Sequence, residues 1–320
     1  MGKVEAICIS VKKGEKKTSQ PMAHFVADYG IEGDAHAGPW HRQVSLLRAE
    51  DVEAMRLRGL PSLKSGDFAE NLVVSGADLG ALGLGSRLKI GHETEVRLTQ
   101  LGKTCHRRCA IYYKVGDCIM PRLGVFARVL RGGTVSTGDA VEVLDIVPRK
   151  QYQAVVLTIS DRCSRGEATD TAGPAVRQRL EDCLRAHTYA TEIVPDERDQ
   201  IAARLRHYCE GHSIDLVLAV GGTGFAARDV TPEAASAVIE RPTPGLDEAM
   251  RRASLEKTPT ALLSRAVSGI RNGTLIVTLP GSEHGAVQNL QAILPALEHG
   301  LGKLRGDPSD CGPPRGEARA

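Results

Sequence analysis

Residues Asp215 to Glu233, DLVLAVGGTGFAARDVTPE, constrain the fold more than any other stretch of the chain. The apolar run Leu216 to Val220 stops at Gly221, Gly222, Thr223 and Gly224, and Asp229 then precedes a Thr231-Pro232 helix start. A short Val- and Leu-rich run ended by glycines suits a strand buried on both faces of a parallel sheet. Glycines admit positive φ and leave no Cβ between backbone N–H groups and an anion. Thr231 is placed as N-cap with Pro232 at N1 and Glu233 in the first turn, and Ala234 leaves the capping box incomplete. The stretch predicts strand, phosphate-type loop, acidic residue and helix, with an ordinary glycine-rich turn as the plain alternative.

Two other nucleotide motifs fail on the same letters. No Lys-Ser or Lys-Thr pair follows the glycines, which excludes a P-loop. Gly222, Gly224 and Ala227 fit G-x-G-x-x-A, yet the helix begins only near Pro232, too late for a Rossmann turn.

Strand and helix patterns alternate around this stretch. The expected order is strand 154–159, helix 173–186, strand 190–194, helix 198–210, strand 215–220, helices 232–239 and 245–255, strand 274–279 and helix 284–303. Such alternation predicts an α/β domain with helices on both faces of a mostly parallel sheet. Ligands in these sheets gather beyond the carboxyl ends of the strands. Those ends carry Ser160, Asp161, Arg162 and Ser164; then Pro195 and Asp196; then the glycine loop and Asp229; then Pro280, Gly281 and Ser282. Asp196 and Asp229 could hold Mg2+ on a triphosphate, since that ion takes one or two carboxylates together with phosphate oxygens. Each taken singly could equally be a turn or cap residue.

The first half reads differently. Val4 to Val11 alternates loosely, and Gln43 to Leu47, Arg87 to Ile90, Val96 to Leu101, Phe126 to Leu130 and Ala140 to Val147 are short strand candidates, with one helix near Ala49 to Leu57. Many short strands punctuated by glycine predict a barrel or sandwich. Three clusters carry possible chemistry. GIEGDAH holds Asp34 and His36, and GDFAENL holds Asp67, Glu70 and Asn71 in a turn entering a strand; both also suit a solvated turn. TCHRRCA sets Cys105 and Cys109 around His106, Arg107 and Arg108, where guanidinium groups favour thiolate. Cys105, His106, Cys109 and Cys118 could alternatively supply four zinc ligands, or the cysteines could be inert.

At 320 residues the chain is multidomain by length. It carries 22 Lys+Arg against 17 Asp+Glu before residue 151 and 19 against 22 after it. Neither half has the basic excess of a nucleic-acid binder. No apolar run approaches the roughly 20 residues of a membrane span, and Lys3, Glu5 and the Lys-rich segment 12–17 leave no signal-peptide core. Eight irregularly spaced cysteines suit reduced thiols. The expectation is a cytoplasmic protein that binds neither nucleic acid nor membrane. Residues 305–320, rich in Gly, Pro and charge from Gly306 onward, read as a disordered tail.

The order of strings in the first half, GIEGDAH, RQVSLL, GDFAENL, the Cys105 to Cys109 segment and GVFARVLRGGTVSTGDAVEV, resembles a MOSC domain over residues 1–147. The resemblance implies a mainly β, barrel-like fold that binds molybdenum cofactor or pterin, or handles sulfur through a cysteine, with pyridoxal phosphate binding as a lesser implication. It places the molybdenum or persulfide role on Cys109 first and Cys105 second. Residues 148–152 are expected to link this domain to the next.

From 153 to 304 the strings TISDRCSRGEATDTAGP, IVPDE, LAVGGTGFAARDVTPEA, PGLDEAMR, LSRAVSGIRNGTLIVTLPGS resemble molybdopterin adenylyltransferases of the MogA/MoaB type. That resemblance implies a three-layer α/β domain and Mg2+-dependent transfer of AMP from ATP to molybdopterin. It puts the catalytic, magnesium-binding carboxylates on Asp196 and Asp229. The binding-loop roles fall on Gly221, Gly222, Thr223 and Gly224 and on Pro280, Gly281 and Ser282, with Ser160, Asp161 and Ser264 as further positions. It also implies a homo-oligomer, a trimer among relatives, with molybdenum-insertion proteins and molybdoenzymes as partners. After LPGS this chain has Glu283 and His284 where some relatives have Pro. A non-catalytic carrier or scaffold for molybdopterin is the alternative.

Overall fold

Along Gly2–Ile9 buried and exposed residues alternate up to Ala6, after which Ile7 and Cys8 are both buried. A bulge between Val4 and Ala6 accounts for the change of phase. Val4 and Ile7 enter one core, whereas Ala6 and Cys8 enter a second one beneath the helix Ala49–Leu57. The structure is a computed structural model that describes residues 2–103, 110–211 and 213–308. It divides into two compact units, Met1–Gln151 with Glu210–Ser213, and Tyr152–Cys209 with Ile214–Ala320.

The first unit is built on an eight-stranded sheet that closes on itself. Gly2–Ile9 pairs with Leu72–Ser75, and the order continues through Val44–Arg48, Val125–Arg131, Thr94–Leu101, Arg87–Ile90 and Ala140–Asp145. Ala140–Asp145 then returns to Gly2–Ile9, with Gly2 opposite Val141, and Thr18–Gln20 lies outside the ring. Closure satisfies the edge N–H and C=O groups that an open sheet would expose. Leu46, Leu72, Leu88, Val96, Leu98, Val125 and Val129 fill the interior. A small sheet of Gly133–Ser136, Met22–Val26 and Gly30–Ile31 was not anticipated, because its strands are only two to five residues long.

The second unit contains a six-stranded sheet in the order His187–Val194, Gln153–Ile159, Leu216–Val220, Thr274–Leu279, Ser268–Arg271, Arg241–Pro242. The first three pairings are parallel and the last two antiparallel. Val156, Leu218 and Val277 meet the helices Ala172–Leu184, Pro244–Leu255 and Glu283–Leu304 through Val176, Leu180, Met250, Leu290 and Ile293. The alternate residues Val155, Leu157, Val217 and Ala219 point the other way and are fully buried. Helices Arg198–Cys209 and Thr231–Ser236 pack together, and the latter packs on Thr274–Leu279.

Several boundaries differ from the sequence expectation. The strand foreseen at 190–194 begins at His187, since parallel pairing with Gln153 extends an edge whose His, Thr and Tyr residues carry no apolar signal. The helix foreseen at 173–186 ends at Leu184 because Arg185 turns left-handed at φ 51°. Arg305, expected in the tail, is anchored by Asp215 at 2.7 Å and covers the Tyr152 ring at 4.6 Å. Thr231 is not the N-cap: it is the first helical residue, and Val230 precedes it without a capping side chain. Among the described residues no helix is long and apolar enough to cross a membrane.

Candidate functional site

The strand Leu216–Val220 delivers its chain into Gly221 with φ +118° and Gly222 with φ +61°, conformations that favour glycine. A Cβ on Gly221 would stand 2.2 Å from the Ile159 carbonyl oxygen. The Gly221 N–H donates to the Leu279 carbonyl, and a Cβ on Gly281 would lie 3.2 Å from Gly221 Cα, so the two glycine loops touch. Gly221→Ala should therefore lower unfolding free energy by ~1–3 kcal/mol, measured by urea denaturation.

Gly222 leaves room that a side chain would fill. A Cβ there would come within 2.5 Å of Thr231 Oγ1 and 3.0 Å of Asp196 Oδ1. Thr231 is fully buried and its hydroxyl has no hydrogen-bond partner among the described residues. Its N–H donates to the Gly222 carbonyl at 3.2 Å, which turns the side chain toward the loop instead of over the helix end.

Asp196 and Asp161 hold each other. The Asp161 N–H donates to Asp196 Oδ2 at 2.7 Å, and the Asp196 N–H donates to Asp161 Oδ1 at 3.1 Å. Arg228 lies along Asp161 through Nε at 3.0 Å and Nη2 at 2.8 Å, and reaches Glu197 at 2.9 Å. Burial tends to raise the Asp161 carboxyl, but the Arg228 guanidinium and the Asp196 amide hold it below the usual range. Burial raises that of Asp196, and the neighbouring Asp161 and Asp229 charges act in the same direction. Asp229 Oδ2 accepts from the Ala226 N–H at 2.9 Å. Among the described residues Asp196 Oδ1 and Asp229 Oδ1 accept no hydrogen bond, so each carboxylate offers one open oxygen.

Arg265 fastens the loop. Its N–H donates to the Thr223 carbonyl at 2.9 Å and its Nε to the Gly224 carbonyl at 2.8 Å. Its terminal nitrogens donate to the Asp229 carbonyl and to the Glu233 carboxylate.

A cavity of about 600 Å3 opens beside these loops. Gly222, Thr223, Gly224, Asp229, Ser264, Pro280, Gly281 and Ser282 all line it, so eight of the positions singled out from sequence meet on one wall. Among the other lining residues are Arg251, Lys257 and Asn289, which sequence reasoning missed, and His284, which it singled out after LPGS. Arg251 closes the PGLDEAMR string, which held the available signal for it; Lys257 sits in no distinctive string. Asp196 adjoins through Gly222 but is not on the cavity wall. Ser160 and Asp161 are likewise off the wall: Ser160 Oγ accepts from the Cys163 N–H as an N-cap, and Asp161 is engaged by Arg228. Ser282 Oγ accepts from the Gly285 N–H and caps the last helix.

The donor set fits magnesium in a limited sense. Among the described residues no three His, Cys, Asp or Glu side chains converge on one point. Asp196 and Asp229 would supply one open oxygen each, leaving the remaining positions to phosphate oxygens and water, as this ion prefers.

In the first unit a cavity of about 350 Å3 is lined by Lys13, His36, Trp40, Arg42, Ser45, Asn71 and Lys103, among others. Arg42 lies 4.8 Å from the Trp40 ring centroid, its Nε is buried without a partner among the described residues, and burial lowers its pKa. Asp34 is not an open ligand. It sits in a buried ion pair with Lys17 at 2.5 Å and accepts from the Ser10 and His36 N–H groups at 3.1 and 2.9 Å. Glu70 closes its own turn by accepting from Gly66 and Phe68, Asp67 pairs with Lys16 at 2.7 Å, and Asn71 accepts from Ser45. Cys105, His106 and Cys109 lie outside the described residues, and Cys118 is half-buried.

Comparison with known proteins matches each unit separately. The MOSC domain family matches residues 33–142, and the family described as "Probable molybdopterin binding domain" matches residues 155–299. A molybdopterin adenylyltransferase of Helicobacter pylori (strain J99) is 42% identical over 153 residues, covering 48% of this chain and 87% of that protein. The molybdopterin adenylyltransferase of Escherichia coli K12 is 41% identical over 151 residues, covering 46% and 77%. Gephyrin of Dictyostelium discoideum is 40% identical over 167 residues but only 23% of it is covered. A solved structure of the molybdopterin biosynthesis enzyme MoaB from Thermus thermophilus is 45% identical, covers 49% of this chain and 99% of that one, and has a TM-score of 0.47.

A barrel-like MOSC unit followed by a MogA/MoaB-like unit defines a two-domain protein of molybdenum cofactor biosynthesis. Through its second half the chain belongs to the molybdopterin adenylyltransferase family of enzymes.

Proposed function

We propose that residues 153–304, a three-layer α/β domain, transfer AMP from ATP to molybdopterin. The observation that carries this reading is the pair of open carboxylate oxygens on Asp196 and Asp229 beside a cavity lined by Arg251, Lys257 and His284. Both substrates are anionic, so a wall with three basic side chains suits them. The terminal phosphate oxygen of molybdopterin attacks the α-phosphorus of ATP, a new P–O bond forms, and the bond to the β-phosphate breaks with release of pyrophosphate. The chain's part is positioning and charge neutralisation. The two glycine loops line the cavity that would receive the phosphates, and Arg265 keeps Asp229 in register with them. Asp196 and Asp229 hold Mg2+, which supplies neutralisation of phosphate charge when bound.

For the first half, residues 1–147, we read the cavity of Lys13, His36, Arg42 and Lys103 as the place where a phosphate-bearing pterin or molybdenum cofactor binds. Cys109, with Cys105 second, is the candidate for molybdenum or persulfide. Residues 148–152 join the two domains, and the working assembly is a homo-oligomer, a trimer.

The test is to incubate the full chain with molybdopterin, ATP and Mg2+ and to measure pyrophosphate together with adenylated pterin. Both are expected in equal amounts. Tight pterin binding without either product would replace the enzyme reading with a carrier.

A further inference from the structure

Asp161, Asp196, Glu197 and Asp229 bring four carboxylates to one corner of the second unit. Arg228 answers two of them, Asp161 and Glu197. Its Nη2 lies 2.8 Å from Asp161 Oδ2 and 2.9 Å from Glu197 Oε1, and its Nε lies 3.0 Å from Asp161 Oδ2. Asp161 has both oxygens occupied, whereas Asp196, which it holds by reciprocal amide bonds, keeps Oδ1 open. The positive charge of Arg228 therefore sits one side chain away from an oxygen proposed to meet a metal. The Arg228 side chain is 55% exposed, so its ion pairs exchange readily with water.

Resting on the magnesium reading of Asp196 and Asp229, we infer that Arg228 is a metal-excluding counter-ion. It neutralises Asp161 and Glu197 while the site is empty and makes a divalent cation enter together with nucleotide phosphates. The two arrivals carry opposite charge. A free divalent ion is +2 and is repelled by the guanidinium, while a magnesium–ATP complex is net negative and is attracted by it. Removing Arg228 thus tightens binding of the free ion and weakens binding of the complex. A residue that only ordered the loop would weaken both.

The experiment uses the full chain and Mn2+ as the probe, with free Mn2+ followed by electron paramagnetic resonance, first without nucleotide and then with ATP. In Arg228→Gln, Mn2+ alone should bind about tenfold tighter, from loss of one nearby unit charge, while KM for magnesium–ATP rises. Arg228→Lys should stay near wild type in both. Glu197→Gln removes a carboxylate but leaves the guanidinium on Asp161, so it should weaken Mn2+ binding, and it tests the idea even where Arg228→Gln folds poorly. Unchanged or weaker Mn2+ binding in folded Arg228→Gln, or tighter binding in Glu197→Gln, overturns the role of Arg228 alone. Absence of Mn2+ binding in the wild type with ATP present overturns the metal reading and the counter-ion together.

Discussion

Replacing Asp196 with asparagine should lower the proposed AMP transfer by about a hundredfold or more, the scale on which loss of one preorganised electrostatic partner acts. Asparagine keeps a carbonyl oxygen for the Asp161 N–H, so the reciprocal bond survives on that side. What disappears is the charge on the open oxygen next to Gly222. That charge is disfavoured in the folded protein, because burial and the neighbouring Asp161 and Asp229 raise the Asp196 pKa. The same substitution should leave the melting temperature unchanged or higher. Asp229→Asn should lose activity similarly, with the Ala226 amide still bonded. Pyrophosphate release and calorimetry on the same preparations check both halves of the expectation. Wild-type turnover in either variant would remove that carboxylate from the mechanism.

In the first unit, Lys17→Met should cost ~3–5 kcal/mol of stability, the usual result of leaving a buried charge without its partner. The Asp34 side chain is 0% exposed and that of Lys17 is 1% exposed. Burial pushes the Asp34 carboxyl up, but His36 and Lys17 outweigh it and hold it well below the usual carboxylate range. Its contribution to stability is thus present above the ordinary aspartate range and is lost as pH falls toward the folded value. Without Lys17 the Asp34 pKa rises, and protonation relieves the variant on acidification. The gap between variant and wild type in urea unfolding should therefore be widest near neutral pH and narrow toward pH values around 4. The double change Lys17→Met, Asp34→Asn should recover much of the loss, because no lone charge remains buried.

The parts of this molecule legible in its letters are those whose cause is local. Leu216–Val220 is buried on both faces and ends in glycine, so its apolar run is unmistakable. Ala49–Leu57 has helix-forming residues with Glu50 and Asp51 in the first turn, and its limits agree with the expectation. Seven of the eight predicted residues on the wall were legible because strand ends in a parallel sheet collect at one edge, whereas Ser264 came from the family resemblance alone. Other features depend on partners distant in sequence. Asp34 looked like a turn residue, and nothing near GIEGDAH discloses that Lys17 is its counter-ion. Thr231 looked like a cap until its backbone was seen to bond Gly222. Arg228 and Arg265 stand beside recognised positions, yet their targets, Asp161 and the Gly224 carbonyl, lie 67 and 41 residues away along the chain. Met22–Val26 and Gly133–Ser136 pair with each other across a long stretch of chain, and each is too short to announce a strand alone.

The pairing of Gly2–Ile9 with Ala140–Asp145 has a temporal consequence. During synthesis the opening strand finds Thr18–Gln20 and Leu72–Ser75 early, but the edge at Gly2 and Lys3 must wait until almost the entire first unit has left the ribosome. Until then the growing chain carries two raw strand edges, the condition in which sheets recruit foreign strands. The lock is also the contact of greatest sequence separation in the ring, so it should set the pace of folding. Translation that stalls between Arg131 and Ala140 would expose this intermediate for longest, which makes the closing strand of the barrel the point where chaperone demand for this protein falls away.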